Sequence, residues 1–138
     1  MYICVISRGY PSDAYKMNGI FEYDQAKALA GAGMKVVMAV VDLRSFRRKR
    51  KWGLEHFTRD GVEIYAMNVP VGRCPSGLLH WFGVRALRRL AKIIEKEQGR
   101  PDILHSHFTD ISRIAADWAQ RERIPLIVTE HNSKMNEQ

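Results

Sequence analysis

Apolar residues are concentrated in short, nearly continuous runs that recur along the whole chain. The first run, Tyr2–Ser7, is rich in β-branched residues and begins almost at the first residue. Similar runs occupy residues 35–42, 62–67, 102–106 and 125–130. Runs of this length are typical of strands that are buried on both faces of a parallel sheet. The pattern therefore predicts five buried strands.

Segments between these runs carry apolar residues at helical spacing. The first predicted helix covers residues 20–32, and its apolar face consists of Phe21, Ala28, Leu29 and Ala32. A longer helix follows Gly77, with an apolar side made of Leu79, Phe82, Ala86, Leu90 and Ile93. The stripe of the third helix consists of Ile111, Ile114, Ala115, Trp118 and Ala119. Strands and helices thus alternate along the chain.

This alternation predicts the α/β class, with residues 1–138 forming a doubly wound, Rossmann-like parallel sheet that helices cover on both faces. Right-handed crossovers favour the strand order 3-2-1-4-5, so the order reverses between strands one and four. Ligands of such sheets bind beyond the carboxyl ends of the strands at that reversal. The walls of the predicted crevice are the loop 8–19 and the segment 107–110. His131 and Asn132 follow strand five and lie beside it.

Three of the five histidines converge on this crevice. His105 and His107 are two residues apart, so on an extended strand their side chains point to the same side of the sheet. His107 is the better placed of the two to donate a hydrogen bond to a substrate hydroxyl or to exchange a proton. His105 is interpreted first as a hydrogen-bonded core residue.

The Asn18-Gly19 pair ends the first loop just before the first helix. Unpaired N–H groups and the helix dipole favour an anion there, so a phosphate site and an ordinary tight turn are equal alternatives. The G-x-G-x-x-G spacing of dinucleotide enzymes is missing, which argues against a nicotinamide cofactor. No cofactor is expected.

The net charge of +7 comes mostly from one local patch. Its members are Arg44, Arg47, Arg48, Lys49, Arg50 and Lys51. A second basic stripe, on the long helix, includes Arg85, Arg88 and Arg89. Both sets are candidate contacts for phosphates or an anionic membrane surface, although basic residues of this kind are more often simply solvated.

The first residues carry no basic leader and no apolar run long enough for a bilayer, so a cytoplasmic protein is expected. Cys4 and Cys74 have no metal-site spacing and no disulfide framework, and Cys4 is interpreted as a small core residue.

Three blocks of the sequence resemble the family-four glycosyltransferases. They are residues 18–36 (NGIFEYDQAKALAGAGMKV), residues 101–107 (PDILHSH) and residues 124–131 (IPLIVTEH). They occur in the family's order and, together, span nearly the whole chain. The family usually has two glycines at the first loop, whereas here Asn18 precedes Gly19.

The resemblance implies a two-domain, GT-B-type, retaining and metal-independent enzyme that moves a sugar from a nucleotide-sugar donor to an acceptor. By this resemblance Asn18 and Gly19 would approach the donor phosphate or sugar, His107 would be the catalytic residue beside the transferred sugar, and His131 and Asn132 would line the acceptor side. The acceptor would be a glycan or a lipid-linked molecule of polysaccharide or cell-envelope biosynthesis, with peripheral contact to a membrane.

The family's donor-binding domain has no counterpart in residues 1–138, so the chain is expected to be an acceptor-side part that is inactive alone. Two other classes of protein stay open. A metal-dependent hydrolase would use His105, His107, Asp110 and His131 as ligands. A nucleic-acid-binding module would use the basic patch, but aromatic interleaving and a reader motif are missing, so nucleic acid is not an expected partner.

Overall fold

The computed structural model of the protein describes residues 1–9, 20–44, 53–70 and 75–129. In chain order the elements are β1 (Tyr2–Ser7), α1 (Ile20–Gly31), β2 (Lys35–Arg44), β3 (Gly53–Arg59), β4 (Val62–Pro70), α2 (Ser76–Gln98), β5 (Ile103–His107), α3 (Thr109–Glu122) and β6 (Leu126–Thr129).

The strands form one sheet in the order β3-β4-β2-β1-β5-β6. β1 is central and pairs in parallel with both β2 and β5, while β4 and β6 extend the parallel part on either side. The five predicted strands and their order are therefore confirmed. Right-handed crossovers in opposite directions from β1 account for this arrangement.

The expectation of an entirely parallel sheet is wrong at one edge. β3 pairs antiparallel with β4 through a tight turn at Asp60 and Gly61, whose φ angles are 52° and 81°. β3 is an edge strand that alternates between half-buried and exposed residues. Such a strand lacks the continuous apolar run that marks the buried strands, so its sequence does not reveal it in the same way.

The hairpin turn is also bonded to α1, because the hydroxyl of Tyr23 donates to the carboxylate of Asp60. Burial, with a smaller contribution from this carboxylate, raises the pKa of Tyr23 to about 12. The turn and the helix are therefore held together by a neutral phenol that donates to an anion.

The helices cover both faces of the sheet, as expected. α2 and α3 pack on one face over a core that includes Cys4, Ile6 and Trp118. α1 packs on the other face over Val5, Met38 and Val40. Cys4 is fully buried, and this burial raises the pKa of its thiol, so it is an unreactive core residue as predicted.

The apolar face of α3 is as predicted, that of α2 is only partly so, and that of α1 is wrong. Of the predicted α2 residues, Ala86 and Leu90 are buried, whereas the other three are half-buried. In α1, Phe21 is 56% exposed, whereas Glu22, Tyr23 and Ala26 are the buried residues of the helix. The face of α1 that packs on the sheet is partly polar because it covers a polar end of the sheet, described below. An apolar stripe is therefore a poor guide to the orientation of this helix.

Candidate functional site

The sheet reverses its strand order between β1 and β5, and the carboxyl ends of these two strands lie side by side. Val5 pairs with His105 and Ile6 with Ser106. β5 extends to His107, and only Phe108 separates it from α3. The segment 107–110, expected as a wall of the crevice, is therefore not a loop but a strand end, one linking residue and the first turn of a helix.

Buried polar side chains line this end of the sheet on the face that α1 covers. Ser7, Asp42, Asn68 and His107 each come two residues after a residue on that face, so strand alternation places them on it as well. All four are buried. We call them the polar band. Buried polar groups need hydrogen-bond partners, so a continuous band of them indicates a specific arrangement rather than ordinary core packing.

His105 and His107 lie on the same side of the sheet, as predicted. Their rings stack with centroids 4.8 Å apart and an interplanar angle of 9°. His107 is 3% exposed and His105 is 9% exposed. The interpretation of His105 as a hydrogen-bonded core residue fits this burial. The role of His107 as the residue beside a transferred sugar stays a prediction.

The side chain of Gln25, on α1, contacts both rings. Its Nε2 lies 3.1 Å from Nδ1 of His105, and its Oε1 accepts a hydrogen bond from Nε2 of His107. On the other side of the first ring, Nε2 of His105 lies 2.7 Å from Oγ1 of Thr129. A hydrogen-bonded row thus crosses from α1 through β5 to β6.

The backbone just beyond His107 is strained and held on several sides. Phe108 has a φ of 71°, and a residue other than glycine in such a conformation costs about 1–3 kcal/mol. Its N–H donates to the carbonyl of Thr129 at 2.9 Å, and its carbonyl accepts from Oγ of Ser112 at 2.6 Å. The Arg8 guanidinium lies 5.0 Å from the centroid of its ring. The strained residue therefore lies at the mouth of the crevice. Strained backbone conformations are common at functional sites.

Sequence reasoning missed Gln25 and Thr129, and it included Phe108 only as part of the crevice wall 107–110. Gln25 and its two histidine partners are 80 and 82 positions apart, so no local motif joins them. One signal was present in the sequence: a helix whose polar residues interrupt the predicted apolar face. That signal becomes meaningful only once the helix is known to cover the polar band.

Several predicted site residues lie outside the described part of the chain. They are Asn18, Gly19, Arg47, Arg48, Lys49, Arg50, Lys51, His131 and Asn132. Their assignments stay predictions.

The predicted basic stripe of α2 is described and lies on the face of the sheet opposite His107. Arg88 makes a two-point ion pair with Asp117 of α3, with N–O distances of 3.0 and 2.9 Å. The Arg85 guanidinium lies 5.0 Å from the ring centroid of Trp81. Arg89 is exposed. The stripe and the crevice are thus separate surfaces.

The metal-dependent hydrolase alternative finds no support. Within residues 1–9, 20–44, 53–70 and 75–129, no group of three or more histidine, cysteine or acidic side chains is placed to hold a metal ion. The ring nitrogens of His105 bond to Gln25 and Thr129 instead. His131 and the side chain of Asp110 are outside the described part.

Solved structures with the same architecture are glycosyltransferases. A sucrose-phosphate synthase from Thermosynechococcus elongatus matches with a TM-score of 0.59 and 15% identity, over 96% of this chain and 33% of that one. A second structure of this synthase matches with a TM-score of 0.55 and 15% identity, over 99% of this chain and 66% of that one. The catalytic domain of starch synthase IV from Arabidopsis thaliana, bound to ADP and acarbose, matches with a TM-score of 0.59 and 14% identity, over 95% and 34%.

These likenesses confirm the predicted fold, a Rossmann-like domain of the GT-B type. At these identities they show the fold alone. The chain spans about a third of two of these structures and 66% of the other.

Residues 22–138 match the family described as "Glycosyl transferase 4-like domain". This range includes Gln25, both stacked histidines and all of β2 to β6. The chain therefore belongs to the glycosyl transferase 4-like domain family. The resemblance to family-four glycosyltransferases is confirmed, and the predicted enzyme class agrees with this family. No curated protein matches the sequence.

Proposed function

We propose that this chain is the acceptor-side domain of a two-domain enzyme that transfers a sugar from a nucleotide-sugar donor to a glycan or lipid-linked acceptor. The observation that carries the proposal is the polar band at the carboxyl ends of the strands, with His107 buried at its β5 end, next to β1, and bonded to Gln25. The position is where open α/β sheets bind their ligands. The family of the chain supplies the class of chemistry.

The different roles of the two domains follow from the chemistry of sugar transfer. A departing nucleoside diphosphate needs positive charge and preorganised donors. The buried polar band supplies hydroxyl, carboxylate, amide and imidazole groups instead, which suit the hydroxyls of a sugar. The groups that hold the diphosphate would then belong mainly to a second domain. Asn18 and Gly19 would add backbone contacts to the donor, and His131 and Asn132 would contact the acceptor.

The test is a transfer assay on the complete gene product with UDP-glucose, ADP-glucose and GDP-mannose as donors. His107→Ala should lower kcat by about 10²–10³-fold with the accepted donor, the scale of losing one positioned polar group at a reacting centre. His80→Ala is the matched control, because His80 is exposed on α2 and should leave the rate unchanged. A His107→Ala enzyme with the wild-type rate would refute the proposed site.

We also propose that the α2 surface contacts an anionic membrane, since lipid-linked acceptors are presented there. Trp81 is 49% exposed and Leu78 is 44% exposed near the start of α2, and Arg85 lies beside them. An aromatic ring next to a guanidinium is suited to the interface of a bilayer. Arg88 contributes less, because Asp117 already neutralises it.

Among the residues described, no helix is both long enough and apolar enough to cross a bilayer. In this proposal, contact is made by side chains of α2 and by the basic patch that includes residues 47–51. Each basic residue near an anionic surface contributes about 1 kcal/mol. Sedimentation with vesicles of phosphatidylserine and phosphatidylcholine should recover the protein, and Trp81→Ala should weaken recovery. Equal recovery with pure phosphatidylcholine would contradict the electrostatic part of the proposal.

A further inference from the structure

The amide of Gln25 lies between two stacked imidazole rings and bonds to a different atom of each. An amide does not titrate near neutral pH: its nitrogen only donates hydrogen bonds, and its oxygen only accepts them. Each histidine must therefore adapt to the atom of Gln25 that it meets. The rings themselves can carry a proton on either nitrogen, so the amide can decide which.

We propose that Gln25 is a positioning residue that fixes which nitrogen of His105 and of His107 carries the proton. The functional meaning of this assignment rests on the proposed function, in which His107 faces the transferred sugar. The assignment of the protons themselves rests only on the contacts of Gln25, His105, His107 and Thr129.

The contact with His107 sets the chemistry of that ring. Oε1 of Gln25 is an acceptor, so Nε2 of His107 must be protonated to bond to it. In the neutral ring Nδ1 then carries no proton and is an acceptor. A sugar hydroxyl that meets this edge of the ring would donate to it. The neutral histidine is therefore an acceptor at Nδ1, whereas the sequence suggested a donor.

The contact with His105 imposes the opposite role. Nε2 of Gln25 donates, so Nδ1 of His105 must accept across 3.1 Å. The proton of the neutral ring then lies on Nε2, which donates to Oγ1 of Thr129 across 2.7 Å. Turning the amide over would exchange both roles at once, so one side chain couples the two rings. Their stacking at 4.8 Å keeps both in reach of the same amide.

The experiment is nitrogen-15 spectroscopy of the imidazole rings in the 138-residue protein. It is recorded at about pH 8, above the ordinary histidine pKa of about 6.5. The wild type should show Nε2 protonated on both rings and Nδ1 of His105 as a hydrogen-bond acceptor. In Gln25→Glu both side-chain oxygens accept, so Nδ1 of His105 should become protonated while His107 keeps its proton on Nε2. In Gln25→Leu, Nδ1 of His105 loses its donor and Nε2 of His107 loses its acceptor, so the signals of both nitrogens should shift from their wild-type positions.

Gln120→Glu and Gln120→Leu are the matched controls, because Gln120 is exposed on α3. They should leave both rings unchanged, and the backbone amide spectrum of every variant checks that it is folded. The proposal is overturned if Gln25→Glu leaves Nδ1 of His105 unprotonated, or if Gln25→Leu leaves both rings as in the wild type. Neither readout requires sugar transfer. The positioning role of Gln25 can therefore be refuted while the proposed transfer function is supported, or supported while the proposed function is refuted.

Discussion

Trp118 is the largest fully buried side chain of the described part of the chain, and its removal is the sharpest test of how α3 is held. Its indole packs in the core beneath α2 and α3, and its Nε1–H donates to Oε1 of Glu95 on α2 across 3.2 Å. The perturbation is Trp118→Ala. Because only Phe108 separates β5 from α3, this packing also anchors the carboxyl end of β5 at the crevice.

The expected loss can be estimated from burial. Replacing a fully buried tryptophan by alanine costs about 3–5 kcal/mol, through lost transfer energy and the cavity that remains. Glu95 is half-buried and regains water, so the lost hydrogen bond adds little to this range. Unfolding entropy of about 2.1 cal/mol/K per residue gives about 0.29 kcal/mol/K for 138 residues. A loss of about 4 kcal/mol therefore lowers Tm by about 14 °C.

The assay is urea unfolding followed by the helical circular dichroism signal, because tryptophan fluorescence changes with the substitution itself. Trp81→Ala is the matched control: the same atoms are removed from a side chain that is 49% exposed. It loses contact with Arg85 and should cost about 1 kcal/mol, the scale of an exposed cation–π contact. Trp118→Phe keeps a ring and loses the hydrogen bond, and should fall between the two.

Equal losses for Trp118→Ala and Trp81→Ala would refute the reasoning, because burial would then not decide the cost. A loss in Trp118→Ala accompanied by a lower denaturant slope would instead mean that the variant no longer unfolds as a compact domain.

Two further predictions concern the edges of the fold. Hydrogen bonding to Arg88 is the main cause that holds the pKa of Asp117 below its ordinary value of 3.8. The ion pair therefore stabilises the protein fully above that pH, and its stabilisation is lost as the pH falls through the lowered pKa. Asp117→Asn should therefore cost about 0.5–1 kcal/mol at neutral pH, and this cost should shrink as the pH falls below 3.8 and through the lowered pKa, whereas Asp24→Asn on the exposed side of α1 should cost nothing at any of these pH values. A constant loss across this range would contradict the assignment. Gly61 has a φ of 81°, so Gly61→Ala should destabilise by about 1 kcal/mol, while Gly31→Ala, in a helix with open space around it, should stabilise by about 0.5–1 kcal/mol. The same sign for both glycine variants in urea unfolding would count against this reading of the turn.

The sequence revealed the sheet because its strands are buried on both faces. Residues 2–6, for example, form an unbroken apolar run, and a parallel sheet with helices on both sides is the arrangement that buries such runs. Strand alternation also placed His105 and His107 correctly on one side. Both conclusions rest on local periodicity, which needs no knowledge of distant contacts.

The features that the sequence did not reveal depend on contacts between distant parts of the chain. β3 is half-exposed and pairs with β4 alone, so its residues look like a polar segment. α1 turns Glu22 and Tyr23 inward because the end of the sheet beneath it is polar. Gln25 is recognisable as part of the site only when the two histidines, about 80 positions later, are seen against it. Tertiary context decides each of these features.

The measurement that most directly tests the central claim is a map of where the sugar acceptor touches this chain. Amide and imidazole spectra of the labelled protein would be recorded with the glycan that the complete enzyme is found to glycosylate. The account predicts that signals of Ser7, Gln25 and His107 shift, while those of the α2 and α3 face, such as Arg89 and Asp117, stay in place. Shifts confined to the α2 and α3 face would contradict the placement of the site between β1 and β5.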